Sequence, residues 1–359
     1  MAFDLRLKPE QLEKGRGAQF NPKNKFLKGE YVQEHTECID DWEQQDRKTE
    51  FIYDDSKTLV NKVTSPDVGM MLSANPYQGC EHGCIYCYAR NTHEYWGFSA
   101  GIDFESRIVV KKNAPALLKK LFDNKNWEPA VISLSGNTDC YQPIERKMRI
   151  TRKLLEICLE YRNPVGIITK NALVLRDTDI LQEMAKHNLV MVFSSITSLD
   201  EDLRKVMEPR TASYRSRLKV QETLSKSGVP TGIMNAPIVP GLNDHHMPDV
   251  LKAASEAGAK WAGYTVVRLN GAIGEIFKDW LYKAFPDRAD KVWNIICACH
   301  DGHVNDSRFG NRMRGDGRFA EVIRTQFKVF CDKYGLNKTH NSLNVNDFRR
   351  VKNGQIPLF

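Results

Sequence analysis

The run Gln78-Gly79-Cys80-Glu81-His82-Gly83-Cys84-Ile85-Tyr86-Cys87-Tyr88-Ala89-Arg90 decides how the rest of this chain is read. Its three cysteines are separated by three and then by two residues. Thiolates at that spacing can hold three corners of a four-iron cubane, and no fourth cysteine lies nearby. Iron–sulfur clusters ordinarily take four cysteines, so the fourth iron would stand open to a substrate or cofactor. The competing reading is a zinc knuckle with His82 or His93 as fourth ligand. Zinc sites more often pair two CxxC or two His elements, and no second pair with such spacing follows. Cys297-Ala298-Cys299-His300 comes nearest, but its one-residue gap is poor for a shared tetrahedral corner. Spacing therefore favours the cluster.

Length and composition narrow the rest. A chain of 359 residues accommodates one barrel-sized domain with extensions, or two ordinary domains. No apolar run approaches the ~20 residues of a membrane span, and Met1-Ala2-Phe3-Asp4-Leu5-Arg6 does not read as a signal peptide. Nine cysteines, an odd number and mostly scattered, argue against a secreted disulfide framework. The expected location is the cytoplasm, where a reduced cluster survives. The net charge of +7 is uneven: Glu34 to Asp46 is acidic, whereas Asp301 onward carries eleven Lys/Arg against six Asp/Glu. A basic C-terminal region is compatible with a nucleic-acid partner, but a solvated basic face is the commoner explanation.

Residues 1–65 are polar and weakly periodic, and read as an extension that wraps the main domain. Across 66–270 short apolar runs alternate with amphipathic segments. The strands expected are Gly69–Asn75, Val131–Ser135, Val165–Thr169, Leu189–Phe193, Gly232–Val239 and Trp261–Val267. Helices are expected near Ile144–Tyr161, Arg176–His187, Tyr214–Lys226 and Pro248–Glu256, the first carrying Leu154, Leu155, Cys158 and Leu159 on one face. Such alternation predicts a parallel sheet. Residues 271–345 read as mostly helical, with Glu275–Phe285, Lys291–Cys299 and Phe319–Lys333 as candidates. Residues 346–359 read as a tail.

The cysteine motif followed by an aromatic resembles that of the radical S-adenosylmethionine (SAM) enzymes. The resemblance implies a [4Fe–4S] cluster on Cys80, Cys84 and Cys87, with SAM chelating the open iron. It also implies an α/β fold, the open partial (βα)6 barrel of TIM type, here with an N-terminal extension and a helical C-terminal region. In β/α barrels the chemistry sits on loops at the C-terminal strand ends, which is where the cysteine loop falls.

The same resemblance points to residues at the other strand ends. Ser135-Gly136-Asn137-Thr138-Asp139 follows the second strand, where the superfamily receives the SAM amino group; Thr138 and Asp139 have the right chemistry, though a polar helix cap reads the same way. Lys170 ends the third strand and is a candidate partner for the SAM carboxylate or a ribose oxygen, or a solvated lysine. Ser195 offers a hydroxyl near the ribose. Ile238 and Val239 resemble the apolar element that flanks adenine, or an ordinary buried strand.

Tyr86-Cys87-Tyr88, Thr138-Asp139, Thr169-Lys170, Ser195-Ile196-Thr197-Ser198 and Glu208-Pro209-Arg210-Thr211 resemble the spore photoproduct lyase group, which includes bacterial proteins labelled DNA repair photolyases. Lys14-Gly15-Arg16-Gly17-Ala18 and Asn305-Asp306-Ser307-Arg308-Phe309-Gly310-Asn311-Arg312-Met313 narrow this to one branch. The resemblance implies one-electron cleavage of SAM, hydrogen abstraction from a substrate, an external donor such as flavodoxin or ferredoxin, and a damaged or modified base in DNA as substrate. The chain departs from the lyase at Gly136, where the lyase carries its hydrogen-donating cysteine. Cys140 lies close by and is a donor candidate or a structural residue; Tyr88 matches an active-site tyrosine.

Beyond the barrel, Asp301–Arg318 offers Arg308, Arg312, Arg314 and Arg318 as phosphate partners or as solvated arginines. The tail Gln355-Ile356-Pro357-Leu358-Phe359 resembles the peptide by which bacterial repair and replication proteins dock on the sliding clamp, with Leu358 and Phe359 as anchors and Gln355 fixing register. Two further readings stay open: radical SAM chemistry on RNA or protein, and a non-catalytic iron–sulfur or zinc protein that binds nucleic acid.

Overall fold

The computed structural model describes residues 12–27, 48–69, 71–340 and 342–351. Its strands are β1 (Glu50–Asp54), β2 (Val60–Lys62), β3 (Leu72–Ala74), β4 (Tyr77–Gln78), β5 (Arg107–Lys111), β6 (Ile132–Leu134), β7 (Val165–Thr169), β8 (Val190–Ser195), β9 (Thr231–Ile238) and β10 (Trp261–Val266). Seven form one sheet in the order β10-β9-β8-β7-β6-β3-β2. All neighbours in it are parallel except β2, which runs antiparallel to β3 at the edge. The six parallel strands are those the apolar runs predicted. They are short because each is bounded by helix caps and turns, and parallel because helical crossovers connect them.

Alternation along the strands separates a helix-facing core from an interior. Val165, Ile167, Val190, Val192, Ile233 and Val266 belong to buried apolar clusters shared with the surrounding helices. The intervening Gly166, Ile168, Met191, Phe193, Met234 and Thr265 are only partly buried and face inward. The sheet therefore encloses an accessible lumen. One loop spans its two edges: the Val266 N–H of β10 donates to Met313 O at 2.9 Å, while Arg312 pairs with Asp67, in the β2–β3 turn, at 2.6 Å. A sheet whose edges are joined so closely must be curled into a barrel.

Two predicted helices differ in detail. The expected Ile144–Tyr161 helix breaks at Arg149, whose φ is +53°, into Glu145–Met148 and Ile150–Tyr161. The buried Glu145 carboxylate causes the break, accepting the N–H groups of Ile150 and Thr151 at 2.9 and 3.0 Å and capping the second helix. The Arg176–His187 helix begins only at Thr178, because Asn171 caps a preceding 3-10 segment.

Among the described residues of the N-terminal region, β1 pairs with β5 in a second, three-stranded sheet, and β2 joins the main one. Helices Ile273–Ala284, Ala289–Ala298 and Gly317–Lys333 fill the predicted C-terminal positions. Residues 342–351 return to the barrel, where the Phe348 ring meets Phe122 at 5.8 Å. Gln355, Leu358 and Phe359 lie outside the described residues. Among the described residues no helix is long and apolar enough to cross a membrane.

Candidate active site

The cysteine loop leaves the C-terminal side of β3 through β4 and is anchored almost residue by residue. Cys80 N–H donates to Phe104 O at 2.8 Å and Ile85 N–H to Met207 O at 3.0 Å. Gln142 accepts from Glu81 N–H at 3.0 Å and donates to Gly79 O at 3.1 Å, while Glu81 accepts from Ile144 N–H at 2.8 Å. Arg90 holds the Cys84 carbonyl through Nε at 3.1 Å and Nη2 at 2.9 Å. A nine-residue 3-10 segment, Tyr88–Trp96, follows.

All three thiols are free and none is exposed. Burial pushes each up, Cys84 to about 12, and Cys84 and Cys87 each raise Cys80 further, so the three stand within electrostatic reach of one another. Thiols in that state ionise when metal binds. Backbone N–H groups of His82 and Ala89 are directed at the sulfurs of Cys80 and Cys87, as a cluster's ligands require.

The zinc alternatives are not assembled. Among the described residues no three His, Cys, Asp or Glu side chains converge as a single ion would need. His82 has both ring nitrogens engaged, with Asp139 at 3.3 Å and Asn171 at 3.2 Å. His93 is fully buried between Phe98 and Phe104. His300 is bonded to Val267 O at 2.7 Å. The donor set fits a cluster carried by three thiolates.

Lys170, at the end of β7, stands over the Tyr86 ring at 5.7 Å, and among the described residues its ammonium makes no hydrogen bond. Burial disfavours its charge, but Cys84 and Glu208 nearby more than offset this and hold its pKa above the ordinary value. It is an available cation beside the cysteine loop. Ser195 is buried at the end of β8, on the inward register with Met191 and Phe193.

The other expected residues have more occupied surroundings. Thr138 donates its hydroxyl to Tyr77 O at 2.6 Å. Both Asp139 oxygens are taken, by Thr169 Oγ1 at 2.8 Å and the N–H groups of Lys170 and Tyr141 at 2.7 and 2.9 Å, besides His82. Although burial raises it, His82 and these donors hold Asp139 down to about 2. Ile238 is fully buried in the helix-facing core beside its register partner Val266, and Val239 is fully buried in the apolar cluster that also holds Cys84 and Tyr86 of the cysteine loop. Cys140 is likewise fully buried, in the helix-facing core with Leu134 and Ile144. Tyr88 is the reverse: 48 % exposed, its hydroxyl hydrogen-bonded to Gly136 O.

Sequence reasoning did not find the buried charges around the loop. Glu208 is fully buried and accepts from the Tyr86 hydroxyl and from Thr197 Oγ1 at 3.1 Å, and it pairs with Arg217 at 2.6 Å. Arg217 also donates to Ser195 O at 2.8 Å, tying the loop to β8. The signal in the sequence was Glu208 within the lyase-like run Glu208-Pro209-Arg210-Thr211; in the structure it closes the helix Glu201–Met207, and Arg217 lies inside the next helix, Tyr214–Lys226. In the Asp301–Arg318 loop, Arg308 pairs with Asp306 at 2.7 Å and Arg312 with Asp67, so these two already have anionic partners.

Residues 74–254 match the family model of the Radical SAM superfamily. An uncharacterised protein of Mycobacterium tuberculosis (strain ATCC 25618 / H37Rv) is 31% identical over 234 residues, covering 64% of this chain and 69% of that protein. An uncharacterised protein of Methanocaldococcus jannaschii is 32% identical over 247 residues, covering 69% and 88% respectively. Among solved structures, spore photoproduct lyase complexed with dinucleoside spore photoproduct superposes with a TM-score of 0.60 at 15% identity, over 80% of each chain. A mutant of that lyase with bound AdoMet and dinucleoside spore photoproduct gives 0.57 at 14% identity, again over 80% of each chain. At these identities the likeness is one of fold.

Proposed function

This chain belongs to the radical SAM superfamily, and we propose that it applies that chemistry to damaged or modified bases in DNA, in the manner of a photoproduct lyase. Its cofactors are a [4Fe–4S] cluster and S-adenosylmethionine. When bound, the pair supplies hydrogen-atom abstraction through one-electron cleavage of the sulfonium, and the protein supplies orientation and exclusion of water.

Cys80, Cys84 and Cys87 would carry the cluster. Lys170 is the residue we assign to the SAM carboxylate, since its charge has no hydrogen-bond partner of its own among the described residues. Ser195, inward at the end of β8, is assigned to the ribose. Asp139 and Thr138 are assigned an indirect part, because their polar atoms already hold the loop in register. The strand end at Ile238 and Val239 would border the adenine. Tyr88 is assigned to cover the substrate and relay hydrogen. Cys140 would have to leave the apolar core to serve as donor.

The observation that carries the proposal is the set of three free, non-exposed thiols beside the available Lys170 cation. For DNA, support comes from the lyase-like fold and from Arg268. This half-buried arginine follows β10, within electrostatic reach of Tyr88, and has no ion pair among the described residues. It is suited to a substrate phosphodiester. An external electron donor, flavodoxin- or ferredoxin-like, and sliding-clamp docking through the tail complete the proposal.

The test is anaerobic: reconstitute with iron and sulfide, reduce, add SAM with irradiated or untreated DNA, and assay 5′-deoxyadenosine and DNA products. Deoxyadenosine that rises with irradiated DNA supports repair. Cleavage indifferent to DNA moves the substrate to RNA or protein. No cleavage from a reducible cluster removes the enzymatic reading.

A further inference from the structure

Gly15-Arg16-Gly17-Ala18 takes no part in the function proposed above, yet it lies directly against the cysteine loop. Gly17 and Ala18 donate their N–H groups to the two oxygens of Glu105 at 3.1 and 2.8 Å. Arg16, 5% exposed, donates to the Glu105 backbone carbonyl at 3.1 Å. The fully buried Glu105 carboxylate pairs with the fully buried Arg90 guanidinium at 2.5 Å. Arg90 spends its remaining donors on backbone: Cys84 O, Gly83 O at 3.3 Å, Ala100 O at 3.3 Å and Gly101 O at 3.0 Å.

The packing leaves no slack. A Cβ on Gly17 would stand 1.8 Å from Gly83 O, in the middle of the cysteine motif, and one on Gly83 would stand 2.8 Å from Glu105 Oε2. The N-terminal segment, the ion pair and the loop are therefore in mutual contact. A trans peptide directs its N–H opposite its carbonyl, so Arg90, holding Gly83 O, turns the Cys84 N–H away from itself. Arg90 and Glu105 both act electrostatically on Cys87, in opposite senses.

We infer that Arg16, Gly17, Arg90 and Glu105 form a buttress that fixes the cysteine loop and sets the reduction potential of the cluster it carries. This rests on the cluster reading of the site. The physical basis is twofold. Cluster potentials follow net charge, hydrogen bonding and solvent exposure, and buried charges act strongly because the surrounding dielectric is low. Arg16 and Arg90 place positive charge behind the loop and Glu105 negative charge, so the cations favour the reduced, more negative cluster and the carboxylate opposes it. Arg16 and Glu105 are positioning residues: they act through Arg90 and the loop backbone.

The experiment is an EPR-monitored potentiometric titration of the reconstituted full-length protein and its Arg16→Gln, Arg16→Lys and Glu105→Gln variants. Removing the Arg16 charge shifts the midpoint to more negative potential, and Arg16→Lys returns it toward the parent value. Removing the Glu105 charge shifts it to more positive potential. Opposite signs are the decisive feature, because mere loosening of the loop moves both variants the same way. Shifts of one sign overturn the inference, as do unchanged potentials with intact clusters or an Arg16→Lys protein that behaves as Arg16→Gln. Should Glu105→Gln fail to fold, the Arg16 pair decides alone. A parent protein that assembles no four-iron cluster refutes the functional reading itself, which separates the two failures.

Discussion

His82 Nδ1 stands 3.3 Å from Asp139 Oδ2, so the middle of the cysteine motif is tied to the turn after β6. The same carboxylate receives three further donors from β7 and its own turn. Replacing Asp139 by Ala strands these donors in a site that is nearly closed to water. The expected cost is about 2–5 kcal/mol of stability, with lower iron occupancy after reconstitution. Denaturant melts and iron analysis check this. A variant of normal stability and iron content but weakened SAM affinity would instead make Asp139 a direct SAM ligand.

Each of Cys80→Ala, Cys84→Ala and Cys87→Ala would remove one of the proposed cluster ligands. The expected result is loss of the four-iron absorption and EPR signals and of SAM cleavage, with the barrel intact by circular dichroism. An undiminished four-iron spectrum in any one of them contradicts the ligand assignment.

Tyr88→Phe keeps the ring and deletes the hydroxyl bonded to Gly136. SAM cleavage is expected to continue while repaired product falls ~10-fold or more, the pattern of a group that acts after abstraction. The ratio of deoxyadenosine to product measures it; an unchanged ratio reduces Tyr88 to a cover.

His93 is fully buried, and among the described residues neither ring nitrogen has a hydrogen-bond partner. Burial lowers it to about 4. The folded form is therefore neutral where the unfolded chain, titrating near pH 6.5, takes up a proton. Its contribution is fully present above pH 6.5 and is lost as pH falls toward 4, by about 3 kcal/mol in all. Thermal melts from pH 7 to 5 should show a shallower decline in His93→Phe than in the parent. Equal slopes would exclude His93 as the titrating group.

Leu358→Ala with Phe359→Ala should abolish binding to a bacterial sliding clamp and leave SAM cleavage untouched. Surface plasmon resonance against purified clamp provides the measurement, and unchanged affinity removes clamp docking from the proposal.

The sequence by itself determined the cysteine motif proposed to hold the cluster, and the order of strands and helices. Both are short-range properties: thiol spacing within eight residues, and apolar periods within one element. Local chemistry also misled where a side chain reached across elements, as when Glu145 capped a second helix and broke the one that periodicity had drawn. Tertiary structure alone decided how the site is held. Gly17 meets Glu105 across 88 residues, and Tyr86 meets Glu208 across 122. It also decided that Ile238 and Cys140 lie in helix-facing apolar core while Tyr88 opens to solvent. A buried charge needs a partner, but nothing in the local sequence says which one the fold will bring to it.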